Sequence, residues 1–190
     1  MSSSEFLVRE RCAEADAMFI DRWSPRALNN EPISSEQMEI ILEAARWAPS
    51  AYNEQPWRFV YSVTEQDRNL FVNTLVEMNQ KWASNASVLL FIFAKKTFSH
   101  NNAPNRWALF DCGSAWVSIA LQARKLGLYS HAMAGFVPEK VYEATGVSPE
   151  DYDIAIAVAL GKRGDASELP ADLLEREKPN GRKMIKELML

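Results

Sequence analysis

Met38, Ile41, Leu42 and Ala45 recur at the i, i+3, i+4, i+7 spacing of one buried helix face. Just ahead of them Ser34 and Gln37 stand at capping-box spacing, with Ile33 and Met38 placed as a hydrophobic staple. Pro49 disfavours helical geometry at Ala48, so the predicted helix ends there. A first helix is expected over Cys12–Ile20, followed by a polar stretch from Arg22 to Glu31. Arg58–Val63, rich in aromatic and β-branched residues, predicts a strand, and Glu65–Met78 a helix. Val88–Ala94 (VLLFIFA) is apolar at every position, which suits a central strand covered on both faces. A polar loop, Lys95–Pro104, leads to a long helix from about Asn105 to Leu126, closed by Gly127 as its C′ glycine.

That long helix has a narrow polar stripe of Asp111, Ser114, Ser118, Gln122 and Lys125 and is apolar around the rest of its circumference. A helix of this kind is buried on several sides, one of which can be a second subunit or the centre of a monomer. Tyr129–Met133 predicts a short strand, Pro138–Thr145 a short helix, and Ile154–Leu160 a buried strand ended by Gly161. The tail from Lys162 to Leu190 is charged and weakly periodic. Strands separated by helices around an apolar helical centre predict an α+β fold, an α/β sandwich.

The chain has 190 residues, enough for one domain with a substantial core, and no internal repeat or linker divides it. Its formal net charge of −4 argues against a nucleic-acid partner, which would need a net basic face. Cys12 and Cys112 show no CxxC spacing, and two histidines do not complete a zinc set with them. No metal is therefore expected, and both thiols read as reduced and packed. MSSSEFLVRE has no apolar stretch of a signal peptide, and the longest apolar run is far short of a membrane span, so a cytoplasmic protein without membrane contact is expected.

Three clusters can carry chemistry. Arg22-Trp23-Ser24-Pro25-Arg26 offers two guanidiniums and a hydroxyl, a donor set that matches phosphate; it also fits a solvated surface turn. Between Pro49 and Trp57 two prolines stiffen a loop bearing Ser50, Asn53 and Gln55. Its amides can meet the mixed donor and acceptor edge of a ligand such as a flavin, or satisfy the loop's own backbone. His131-Ala132-Met133-Ala134-Gly135-Phe136 is a strand ending in small residues, which let backbone approach a flat ligand or simply form a tight turn.

In order and spacing these clusters resemble the nitroreductase family of flavoproteins. RWSPRAL is similar to its Arg-x-Ser-x-Arg phosphate segment, and ILEAARWAPSAYNEQPWRFV to its helix leading into Pro-Ser-x-x-Asn-x-Gln-Pro-Trp. LFDCGSAWVSIALQARKLGL resembles its central helix, HAMAGF its post-helix loop, and GKRGD followed by PNGRK its C-terminal end. The resemblance covers about residues 15 to 185.

It implies a mainly antiparallel sheet flanked by helices, in an intertwined homodimer with two FMN molecules in clefts at the interface. Arg22, Ser24 and Arg26 match positions that bind the FMN phosphate and pyrimidine edge, with Trp23 contributing backbone. Ser50, Ala51 and Asn53 match a segment that reaches the flavin from the other subunit, and Asn79 an amide near the ring. Met133, Ala134 and Gly135 match the segment along the isoalloxazine face, and Arg182 a second phosphate-binding arginine. Many members carry an acid where Ala134 stands and a proline where Met184 stands; the chain is also short for the family, which implies a reduced substrate lid. The implied activity is ping-pong hydride transfer from NADH or NADPH, through flavin, to a nitroaromatic, quinone or similar acceptor, with no obligatory side-chain acid or base. Phe98–Trp107 is a candidate wall of the acceptor pocket. A flavin-storing protein, a member with another flavin reaction (enoate reduction, dehalogenation, flavin fragmentation) and a dimer without cofactor are the alternatives.

Overall fold

The computed structural model describes residues 9–190; most of the segment read for a leader therefore lies outside the described residues. In chain order the elements are α1 (Ala17–Asp21), β1 (Leu28–Asn29), α2 (Ser35–Arg46), β2 (Trp57–Tyr61), α3 (Glu65–Val72) and α4 (Glu77–Ala83). They continue with β3 (Val88–Lys95), α5 (Ala108–Lys125), β4 (Tyr129–Met133), α6 (Pro138–Thr145), β5 (Tyr152–Arg163) and α7 (Ala171–Leu174). β3 lies between β2 and β5, and β5 also pairs with β4 and, through its last residues, with β1, all antiparallel.

The apolar run in β3 has helices on both sides, which is why it does not alternate. Val88, Leu90, Ile92 and Ala94 pack with Met38, Ile41 and Ala45 of α2 and Ala115 and Ile119 of α5. Leu89, Phe91 and Phe93 pack on the other face with Phe71, Leu75, Trp82 and Val141. Phe91 and Ile92 are fully buried, and burying each such side chain contributes about 1.5–3 kcal/mol. The α+β sandwich with a mainly antiparallel sheet is thus the architecture found.

Local signals hold where nothing distant competes with them. Ser34 and Gln37 form the reciprocal capping box of α2. Gly127 closes α5 at φ 78°, a left-handed position that favours glycine. Four expectations are corrected. The first helix is only one turn, because it starts at Asp16, whose side chain accepts the Met18 N–H as its N-cap. The helix expected over Glu65–Met78 breaks after Val72, where Leu75 bridges to Phe136 and the Val76 N–H donates to the Gly135 carbonyl at 3.0 Å. Gly161 does not end β5, because Leu28 and Asn29 of β1 pair with its last residues, Arg163 and Lys162. Finally, the polar stripe and apolar circumference of α5 do not divide as exposed and buried: Asp111 is 3% exposed, whereas Leu109, Phe110 and Val117 are exposed.

Candidate functional site

The segment joining α1 to β1 is extended, and its burial alternates accordingly: Trp23 and Pro25 are buried, while Arg22, Ser24 and Arg26 are half-buried. Trp23 is held edge-on to Tyr129 (centroids 6.2 Å apart) and beneath the Arg163 guanidinium, 4.7 Å from its ring centre. With the indole anchored inward, Arg22, Ser24 and Arg26 line a cavity of about 250 Å³. The chain's other end completes it with Arg176, Lys178 and Arg182, and Arg9 and His131 close the remaining sides.

This cavity is strongly cationic. The Arg22 pKa lies below its ordinary value, first from burial and then from the neighbouring Arg182 charge. Arg9 is lowered by burial, Arg182 and Arg22, with Asp21 opposing. Arg9 Nη1 donates to the Ile20 carbonyl and, at 2.9 Å, to the Arg22 carbonyl, but its Nε and Nη2 are buried without a partner. Burial pushes His131 down to about 4, so the imidazole is neutral near pH 7. It sits 3.1 Å through Nδ1 from the Pro25 carbonyl, with its ring 4.6 Å from that of Trp82. Mutually repelling guanidiniums with unfilled donors around a small volume fit a doubly charged phosphate.

A second grouping joins the Asn79 and Met133–Gly135 positions. Asn79 Nδ2 donates to the Gly135 carbonyl at 3.0 Å. A Cβ on Gly135 would lie 2.6 Å from Asn79 Nδ2 and 2.8 Å from Val76 Cγ2. Glycine is therefore required here by the chain's own packing, in addition to any approach of a flat ligand. Met133 is buried at the end of β4 and Ala134 is exposed.

The Pro49–Trp57 loop is strained and heavily braced. Tyr52, Asn53 and Gln55 have φ of 54°, 56° and 51°, left-handed values that cost non-glycine residues roughly 1–3 kcal/mol each. The buried Asp111 carboxylate accepts the Ala51 N–H at 3.1 Å, and Ser50 Oγ accepts the Gln55 N–H at 3.0 Å. Glu54 accepts from both the Ser99 N–H (2.9 Å) and hydroxyl (2.6 Å), and Tyr52 packs edge-on to Phe98. Part of the loop's polar inventory thus serves its own backbone, while Tyr52 and Asn53 face outward.

The structure brings Arg22, Ser24, Arg26 and Arg182 into one cavity and Asn79 against Gly135. Ser50 and Ala51 line a different concavity, beside Phe110 and Asp111 of α5. Sequence reasoning missed Arg9, Arg176, Lys178, Glu177 and Asp111. The charged spacing around PNGRK hinted at the tail residues, and an acid in an otherwise apolar helix hinted at Asp111. Cys112 is buried, its thiol pushed up to about 12 by burial and then by Asp111, as a packed thiol should be. Cys12 is instead exposed, its thiol 3.6 Å from the Met184 sulfur. Among the described residues no helix is long and apolar enough to cross a membrane, and no three His, Cys, Asp or Glu side chains gather as a metal site.

The model of the nitroreductase family matches residues 20–71 and 60–162, which spans the arginine segment, the braced loop, the central helix and most of the sheet. The chain belongs to the nitroreductase family. Family membership makes it an oxidoreductase by class. A protein of Archaeoglobus fulgidus, whose name couples NADH dehydrogenase with NAD(P)H nitroreductase, is 33% identical over 153 residues, 76% of this chain and 82% of the relative. An oxygen-insensitive NADPH nitroreductase of Helicobacter pylori is 28% identical over 76% of this chain and 90% of its own length. Among solved structures, an oxidoreductase containing FMN superposes with a TM-score of 0.92 at 42% identity, covering 100% of this chain and 96% of that one.

Proposed function

We propose that this nitroreductase-family chain binds FMN and, as a homodimer, moves reducing equivalents from NADH or NADPH to a small oxidised acceptor. The observation that carries the reading is the meeting of Arg22, Ser24 and Arg26 with Arg182 in one cationic cavity. A phosphate dianion is the ligand that offsets their repulsion and fills the unpartnered donors of Arg9. The 42%-identical structure contains FMN, which agrees with this choice of phosphorylated ligand.

In this reading Arg22, Ser24 and Arg182 hold the phosphate. Arg26, in the same cavity, would lie toward the pyrimidine edge, where its charge would favour negative charge on the ring. Bound FMN supplies the redox chemistry. The Met133–Gly135 segment, pinned by Asn79, presents backbone to the ring, and Trp23 contributes backbone while its indole anchors the arginine segment. Ser50, Ala51 and Asn53 serve the partner's cofactor, which explains why they line no part of their own chain's cationic cavity. The exposed side chains of Leu109, Phe110 and Val117 on α5, beside that loop, form the apolar face of the dimer.

Purified protein is expected to be yellow and to bleach with NADH or NADPH under anaerobic conditions. A colourless protein that ignores added FMN overturns the reading, and a yellow protein that turns over with no acceptor indicates flavin storage instead. The acceptor screen should include nitroaromatics, quinones and enones, because one relative is a CLA biosynthesis enone reductase of Lactiplantibacillus plantarum, 26% identical over 78% of this chain.

A further inference from the structure

We infer that Glu177 is a positioning residue for the cationic cavity: its buried carboxylate fixes the arginine segment and the C-terminal tail to each other, and so sets the affinity for the cofactor's phosphate. This rests on the cofactor reading above. The Glu177 side chain is 1% exposed. Both its oxygens accept the Arg26 N–H, at 2.9 and 3.0 Å, and Oε1 also accepts the Ala27 N–H at 2.9 Å. Oε1 is further paired with the Arg163 guanidinium, which lies over the Trp23 ring.

One carboxylate therefore holds the backbone at Arg26 and Ala27, the end of β5 and, through its own chain, the tail. Its neighbours Arg176 and Lys178 both line the cavity, whereas Glu177 does not. The carboxylate thus bridges the backbone of the arginine segment and the stretch of tail that carries Arg176 and Lys178. Arg9, Arg22 and Arg182 repel one another, and the two halves of the cavity come from opposite ends of the chain. Without this bridge the two halves lose a tie against that repulsion, and the backbone donors at Arg26 and Ala27 lose their acceptor. The tail is thereby tied to its own chain's cavity, at least as far as Glu177, where the sequence alone allowed it to wrap a partner.

The test compares FMN with riboflavin, which has the same ring and ribityl chain but no phosphate. Flavin-free wild type and Glu177→Gln are titrated with each, following quenching of flavin fluorescence. Gln keeps the shape but loses the charge and one acceptor. The expected result is an FMN Kd raised about tenfold or more, with riboflavin affinity changed less than about twofold. Equal weakening of both flavins marks a general structural role and overturns the inference, as does an unchanged FMN Kd. If the Gln variant does not fold, Glu177→Asp, which keeps the charge and loses the reach, is read by the same FMN-to-riboflavin comparison. Wild type that binds neither flavin overturns the cofactor reading itself, a result distinct from a wild type that binds FMN no better than the variant.

Discussion

Arg22 is held below its ordinary pKa by burial and then by the charge of Arg182, although the two arginines stand near opposite ends of the chain and meet only through the fold. Like charges held together cost stability until a ligand offsets them. Arg182→Ala is therefore expected to leave the melting temperature of flavin-free protein unchanged or slightly raised. It should also weaken FMN binding by about tenfold or more, the size of a lost charge-assisted hydrogen bond. Arg22→Ala should weaken FMN similarly. Calorimetry and flavin titration of the same samples read both effects; unchanged FMN affinity in either variant counts against the clamp.

His131 stays neutral in the folded chain down to about pH 4, against an ordinary value of 6.5. Between these values the unfolded chain binds the extra proton, so stability falls as the pH is lowered through that window. The contribution lost by pH 4 is up to about 3 kcal/mol. His131→Gln should flatten this part of the profile in urea unfolding experiments run between pH 7 and 4. A wild-type profile as flat as the variant's would show that the imidazole is solvated.

Gly135→Ala should be costly. The added methyl group meets Asn79 Nδ2 and Val76 Cγ2, both well inside contact distance, and neither side chain is long enough to swing clear easily. A loss of about 1–3 kcal/mol is expected from overpacking, together with a change in the absorption spectrum of bound flavin. A variant as stable as wild type, with the same spectrum, would mean that this corner is looser than the geometry requires.

Removing the Asp111 carboxylate leaves the Ala51 N–H without its acceptor beneath a loop that already holds three residues at positive φ. Asp111→Ala should destabilise the protein by about 1–3 kcal/mol, and Asp111→Asn, which keeps an acceptor oxygen, by less. Proteolytic nicking near Tyr52 should follow the same order. Uncleaved loops and equal stabilities would assign Asp111 no role in bracing.

Phe110 and Val117 are 74% and 44% exposed on α5. If they face a second copy, Phe110→Asp or Val117→Asp should give monomers by sedimentation equilibrium and release FMN, because the partner's Ser50–Asn53 loop is lost. A wild-type monomer that retains FMN would remove the partner from the site.

The α2 helix, the interior β3 strand and the glycine end of α5 were legible in the sequence because each depends on neighbours within a few residues. So was the donor chemistry of Arg22, Ser24 and Arg26, since a guanidinium's match to phosphate is a property of the residue. The kinship carried by RWSPRAL and the Pro49–Trp57 segment likewise stood in the bare order of residues. The break between α3 and α4, the passage of β5 through Gly161 and the burial of Asp111 were decided by contacts with Phe136, Leu28 and Ala51, which lie far off in the chain. Local propensity contains no term for such pairings. The arrival of Arg176, Lys178 and Arg182 beside Arg22 is of the same kind: many folds would give those charges to solvent, and it is the tertiary structure that gathers mutually repelling groups around one small volume.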